Sequence, residues 1–311
     1  MRRQRVRWII GVRLAAALLA LLVTACGGTT AAPTAVPSPT PFPTPHPTVV
    51  VQSNALTAQV AYAVDLSTGA VLYARNADRP VAPASTMKIV TALVTRQLLD
   101  PDTLVTIQNS DLIDPTVYST MGLEAGDEVN VGDLLRGLLI PSGGDAGLAL
   151  ARVGGVALGA SEGDAVSRFV DELNSYAFIA GMTSSHFSNP VGDDAPDELA
   201  SARDLVRAAT LLLDDPLLVT IVRTPSTQVV VGGSDARTLT LLNTNELLAR
   251  DDVFGIKTGS EDAAGQCLIA GFWRGDVRIV TVVLGSADRY ADTTALMDAI
   301  DAANPALVGS R

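Results

Sequence analysis

Histidine, cysteine and lysine are almost absent from this chain. Its 311 residues hold two histidines, His46 and His186, and two cysteines, Cys26 and Cys267. Of 22 basic residues only Lys88 and Lys257 are lysine, and the rest are arginine. A zinc or iron centre needs a cluster of His, Cys and carboxylate ligands that cannot be assembled here, so neither metal nor other cofactor is expected. A disulfide scaffold needs more cysteine. A nucleophile–histidine pair would have to use His186, because His46 stands in a proline-rich tract. Positive charge is scarce as well. A net charge of −11 and a pI near 4.6 argue against nucleic acid as a partner, since phosphates attract basic surfaces.

The N-terminus reads as an address. Arg2, Arg3, Arg5, Arg7 and Arg13 precede an uninterrupted apolar run from Leu14 to Val23. That run is too short for a spanning helix, which needs about 20 residues, and fits a secretory leader over residues 1–25. The run ends Val23-Thr24-Ala25-Cys26, which resembles a bacterial lipobox. The resemblance implies cleavage before Cys26 and lipid attachment to it. An ordinary leader cleaved nearby, with Cys26 incidental, is the alternative. Loss of the five leader arginines takes the charge from −11 to −16, so lipid rather than electrostatics would hold the chain at an anionic membrane. From Cys26 to residue 53 runs a tether with seven prolines between Pro33 and Pro47. It cannot build a core and favours extended polyproline II.

Residues 54–311 have a globular composition. Gln59–Asp65 and Ala70–Arg75 alternate as strands, joined by Leu66-Ser67-Thr68-Gly69. The spacing of Ile89, Val90, Leu93 and Val94 predicts a helix from Ser85 to Leu99. Helices are expected over Val131–Ile140 and Asp145–Leu158. A third opens at Ser161 with Asp164 and ends near Gly181, and a fourth opens at Ser201 with Asp204 and is terminated by Pro216. Strands follow at Thr227–Val231, Thr238–Leu242, Phe254–Gly259, Cys267–Trp273 and Val277–Leu284, then a helix over Thr293–Ala303. Strands at both ends with helices between predict an α+β fold: an antiparallel sheet that pairs the termini, plus a helical subdomain. Arg274-Gly275-Asp276 spells an adhesion tripeptide, but between alternating strands it reads as a hairpin turn.

Three short segments carry chemistry. Ser85-Thr86-Met87-Lys88 puts a hydroxyl and an amine three residues apart, on one helical face. Serine becomes a nucleophile when a base takes its proton. Lysine serves as that base when burial or nearby cations make it neutral, whereas arginine stays protonated. Lys257-Thr258-Gly259-Ser260 ends a strand, where a Lys–Thr pair suits a carboxylate and glycine admits a close substrate backbone. Ser142 lies in the loop Pro141-Ser142-Gly143-Gly144-Asp145, placed to relay a proton or to cap a helix. Each segment alone has an ordinary structural reading.

In this order the three resemble the penicillin-recognising serine acyltransferases, and the chain's only two lysines fall on the two motif lysines. The flanks Ala82-Pro83-Ala84, Gly181-Met182, His186-Phe187, Ser201-Ala202-Arg203-Asp204, Gly255-Ile256 and Ala264-Gly265-Gln266-Cys267-Leu268 narrow the resemblance. They are similar to D-alanyl-D-alanine carboxypeptidases, serine peptidases of the low-molecular-mass penicillin-binding type. The resemblance covers about residues 55 to 305. It implies a beta-lactamase/transpeptidase-like fold with a five-stranded sheet. It also implies peptidoglycan stem peptides as substrate, β-lactam antibiotics as covalent inhibitors, and an extracytoplasmic site of action. By resemblance Ser85 is the nucleophile, Lys88 its base and Ser142 the relay. Lys257 and Thr258, with Gly259 and Ser260 beside them, hold the substrate carboxylate, supported by Arg289. The amides of Ser85 and Ser260 form the oxyanion hole.

The family pattern has Ser-x-Asn where this chain has Ser142-Gly143-Gly144. The missing amide would contact substrate and help place Lys88. Two other readings use the same residues: a D,D-endopeptidase of the same mechanism, and an impaired, peptidoglycan-binding lipoprotein that Gly144 would favour. A β-lactamase fits less well, because no Glu-x-x-x-Asn loop lies between the second and third motifs. His186 and Cys267 read as structural.

Overall fold

A computed structural model describes residues 56–305. The leader over 1–25, Cys26 and the tether to residue 53 lie outside the described residues, as do the ends of the expected catalytic domain. The body is a five-stranded sheet. Its strands are β1 (Val60–Asp65), β2 (Val71–Arg75), β7 (Val253–Glu261), β8 (Gly265–Arg274) and β9 (Val277–Ser286), in the order β2-β1-β9-β8-β7 and antiparallel throughout. The first and last strands pair, from Val60 opposite Leu284 to Asp65 opposite Ile279. The predicted joining of the two ends is therefore observed, and the fold is α+β as expected.

Both faces of the sheet are covered, and strand alternation decides what each covers. Val60, Tyr62 and Val64 of β1, with Val280, Val282 and Leu284 of β9, face the helical layer. Ala61, Ala63, Ile279 and Val283 face the other way, onto Leu296, Met297 and Ile300 of α7 (Arg289–Ala303). The helical layer contains α1 (Lys88–Leu98), α2 (Val131–Leu139), α3 (Gly144–Ala157), α4 (Ala165–Ile179), α5 (Ala202–Asp214) and α6 (Pro216–Val222). The short pairs β3 (Leu104–Thr106) with β4 (Glu128–Asn130), and β5 (Ser226–Val231) with β6 (Arg237–Leu242), form separate two-stranded ribbons. At three residues each, β3 and β4 carry too little alternation to be seen in sequence.

Three local expectations are corrected. Ser85 does not open the α-helix: a 3₁₀ turn spans Ala84–Met87 and runs directly into α1. The turn is closed at the Pro83 carbonyl, which accepts both the N–H and the hydroxyl of Thr86. Ser161 does not cap a long helix. Its hydroxyl donates to Asp164 at 2.6 Å, a 3₁₀ turn follows over Glu162–Asp164, and α4 begins at Ala165. Pro216 ends nothing by itself: α5 stops at Asp214, and the proline opens α6 behind an Asp215 cap, the helical position that tolerates a missing N–H. Ser201 does cap α5 through the amide of Asp204, and Gly275 makes the β8–β9 turn with φ +59°.

Candidate active site

The 3₁₀ turn gives Ser85 and Lys88 their relation. At three residues per turn, side chains at i and i+3 eclipse, and Lys88 Nζ lies 2.7 Å from Ser85 Oγ. Ala84 holds φ +48° immediately before the serine, and Ser142 holds φ +66°. Such conformations are costly for side-chain-bearing residues and collect at functional sites.

Two further elements close on this pair. Ser142, between α2 and α3, offers its carbonyl to Lys88 Nζ at 2.9 Å and its hydroxyl at 3.4 Å. From β7, Lys257 Nζ donates to the same hydroxyl at 2.8 Å and to Thr258 O at 2.9 Å. The chain's two lysines thus converge on one serine. Lys88 is 4% and Lys257 1% exposed. Burial pushes Lys88 down to about 8, although Asp193, Glu261 and Asp145 pull the other way. Lys257 falls well below the usual lysine value through burial first, then through the positive charges of Lys88 and Arg289. Two ammonium groups cannot both be comfortable around one buried hydroxyl, so the pair titrates jointly.

Next along β7, the Thr258 and Thr244 hydroxyls are 2.5 Å apart. A Cβ on Gly259 would stand 2.9 Å from the amide nitrogens of both Ser85 and Thr86. The glycine expected to admit substrate therefore admits the nucleophile's own turn. Arg289, the first residue of α7, donates to Gly259 O at 2.7 Å and to the Gln266 side chain at 3.2 Å.

These groups border an open cleft of about 750 Å³. Ser85, Lys88, Ser142, Thr258, Ser260 and Arg289 all line it, and Gly259 does too. Lys257 reaches it through Ser142. Cys26 lies outside the described residues. Sequence reasoning missed Thr244 and the wall made by Ile113, Val117 and Tyr118. Neither has a local signal: both come from irregular segments that carry no motif of their own. His186 and Cys267 take no part. His186 Nδ1 pairs with Asp197 O at 2.9 Å, and burial pushes the Cys267 thiol up to about 11.

Residues 47–288 match the family described as D-alanyl-D-alanine carboxypeptidase. The chain belongs to that family. It is 33% identical over 259 residues to the D-alanyl-D-alanine carboxypeptidase of Streptomyces sp. (strain K15), covering 80% of this chain and 88% of that one. It is 31% identical over 251 residues to DacF of Bacillus subtilis, covering 78% of this chain but 61% of the relative. The crystal structure of the Streptomyces K15 DD-transpeptidase superposes with a TM-score of 0.76 at 32% identity, covering 81% of this chain and 99% of that one. The family is one of serine-type peptidases.

Within the family pattern Gly144 is the departure, and the structure accounts for the space. A Cβ at Gly144 would overlap Cδ1 of Ile113, so an isoleucine methyl stands where a motif side chain would emerge. Lys88 does not need that side chain to be placed: its three ammonium protons have Ser85 Oγ, Ser142 O and Ser142 Oγ as acceptors. Gly144→Asn alone is therefore expected to leave β-lactam acylation unchanged or slower. Gly144→Asn with Ile113→Ala is expected to raise it several-fold, about the worth of one hydrogen bond. Acylation rates of both variants check this, and an equal gain from the single change would refute the displacement.

Proposed function

We propose that this chain removes the terminal D-Ala from peptidoglycan stem peptides through an acyl-enzyme on Ser85. The observation that carries this is the 2.7 Å contact between Ser85 Oγ and a buried Lys88 whose proton is loosely held. With Lys88 neutral, the Ser85 hydroxyl turns its hydrogen to Nζ, and Oγ attacks the carbonyl of the last peptide bond. The developing oxyanion meets the amides of Ser85 and Ser260. The first-turn amide of a helix has no intrahelical acceptor and remains available for this. Ser142 Oγ accepts from both lysines, which leaves its own hydrogen for the departing amine; Lys88 then replaces that proton. Thr258 and Arg289 receive the substrate's carboxylate, and Lys257 contributes its charge from behind Ser142. Water, activated by the same lysine, releases the shortened peptide. Penicillins enter by the same attack and remain on Ser85.

The leader, Cys26 and the tether support a second element of the proposal: a lipid-anchored, extracytoplasmic catalytic domain. The tether's roughly 27 residues would reach up to ~80 Å as polyproline II at ~3.1 Å per residue. Among the described residues no helix is long and apolar enough to cross a membrane.

One experiment tests both elements. The full chain, expressed in bacteria, is expected to release free D-Ala from a D-Ala-D-Ala stem peptide. A reporter penicillin is expected to label it in the membrane fraction, with the adduct on Ser85. Intact mass of the membrane-fraction protein is expected to correspond to a chain that begins at Cys26 and carries lipid. A folded protein with no adduct and no D-Ala release would sink the enzymatic reading, and a mature chain without lipid on Cys26 would sink the anchor.

A further inference from the structure

Between α4 and α5 the chain runs without regular structure, its two arms joined by a bridge between His186 and Leu199. The tip of this segment abuts the nucleophile. Gly192 adopts φ +84°, and a Cβ there would overlap the carbonyl of Ala84. Val191 O faces the Ser85 hydroxyl at 3.5 Å, Pro190 O accepts from Thr91 of α1 at 2.6 Å, and Asp193 lines the cleft.

Two polar side chains give the tip its shape. Asn189 Oδ1 accepts the amides of Val191, Gly192 and Asp193 at 3.1, 2.7 and 3.0 Å, and Asn189 Nδ2 donates to Asp193 O at 3.0 Å. Asn189 is held in turn by Glu198, whose Oε2 accepts its Nδ2 and its backbone N–H, both at 3.2 Å. The same oxygen accepts Ser188 N and Oγ at 2.8 and 3.2 Å. Glu198 is fully buried, and its other oxygen, Oε1, has no hydrogen-bond partner among the described residues. A buried carboxyl that gathers four donors on one oxygen and leaves the other bare is spent on holding a loop, not on pairing a charge.

We propose that Glu198 is a positioning residue for the reaction: through Asn189 it holds the 190–193 turn against Ser85 and so sets the wall beside the nucleophile. The inference rests on the Ser85 acyl-enzyme reading. What it requires of Glu198 is an acceptor oxygen, not a negative charge. Burial agrees, pushing the carboxyl up to about 7 and favouring the uncharged form. The amide of glutamine supplies the same oxygen.

Saturation kinetics with a reporter penicillin, on the full chain, separate reversible binding from the acylation step and provide the test. Glu198→Gln is expected to acylate within about threefold of wild type. Glu198→Ala is expected to lose 10- to 100-fold in the acylation constant, on the order of one or two lost buried hydrogen bonds, with little change in the binding constant. Should Glu198→Ala not fold, Asn189→Asp serves instead. It keeps the oxygen that accepts the three turn amides and removes the Nδ2 donor shared by Glu198 Oε2 and Asp193 O, and the same selective loss is expected. A folded Glu198→Ala or Asn189→Asp protein acylating at the wild-type rate would overturn the proposal, as would a Glu198→Gln protein as slow as Glu198→Ala. Wild type that is never labelled fails the acyl-enzyme reading itself, a result distinct from either.

Discussion

Lys88→Arg is expected to yield a folded protein whose acylation by a β-lactam falls by about 10³-fold or more, the contribution of a general base. Arginine keeps its proton at any working pH, so the Ser85 hydroxyl loses the group among the described residues that is placed to take its own. The wild-type pH profile carries the complementary sign. Burial lowers Lys88 to about 8, and the reactive form is the deprotonated one. Acylation is therefore expected to rise about tenfold per pH unit below 8 and to level above it. At pH 7 roughly a tenth of the molecules hold Lys88 neutral. The coupling to Lys257 around Ser142 makes the apparent midpoint a property of the pair. Stopped-flow acylation between pH 6 and 9 checks both parts. Appreciable acylation by Lys88→Arg, or a wild-type rate that falls as pH rises through 8, would remove Lys88 as the base.

Asp145→Ala is expected to have the second large effect, on stability and rate together. Asp145 is 2% exposed and stands in the first turn of α3, three residues after Ser142. Its carboxylate accepts the amides of Met121, Gly122, Leu123 and Ala146 at 2.8 to 3.1 Å. The first three belong to the segment that brings Ile113, Val117 and Tyr118 to the cleft, and Gly144 N bonds Ser119 O of the same segment. The far end of that segment is fixed separately, by the buried Arg152–Asp111 pair at 2.7 and 2.8 Å. Alanine leaves several buried donors unpaired at about 1–3 kcal/mol each, so a loss of about 3–5 kcal/mol is expected. For a domain of this size that is a fall in Tm on the order of 10 °C.

Acylation is expected to slow at least tenfold. The sign separates two causes. Asp145's charge raises Lys88, so its removal by itself would make Lys88 the readier base. A slower enzyme therefore reports the lost wall, not the lost charge. Thermal melts with acylation rates decide the matter, and an Asp145→Ala protein matching wild type in both would refute it.

Much of the fold was legible because its signals are local. Alternation in β1, β8 and β9 reports a sheet face, and the spacing of Ile89, Val90, Leu93 and Val94 reports a helix face, whatever lies opposite. The 3₁₀ turn at Ser85 was not legible, because Pro83 acts there through a carbonyl that only the folded turn points at Thr86. Pro216 was misread because proline ends one helix and begins the next with equal ease.

The site divides along the same line. The sequence by itself determined the reactive groups: a serine and a lysine three apart, a second serine, and a second lysine in a chain that otherwise uses arginine. Those identities settle which protons can move. Only the tertiary structure decided that Lys88 and Lys257, reaching Ser142 from 54 and 115 residues away, share its hydroxyl. It also decided that Ile113 fills the space beside Gly144, and that Asp145 and Glu198 serve as acceptors for loop amides. Residue type sets what a group can do. The depressed lysine values and the filled space arise from burial and close packing, which depend on chain segments too far apart for any sequence spacing to report.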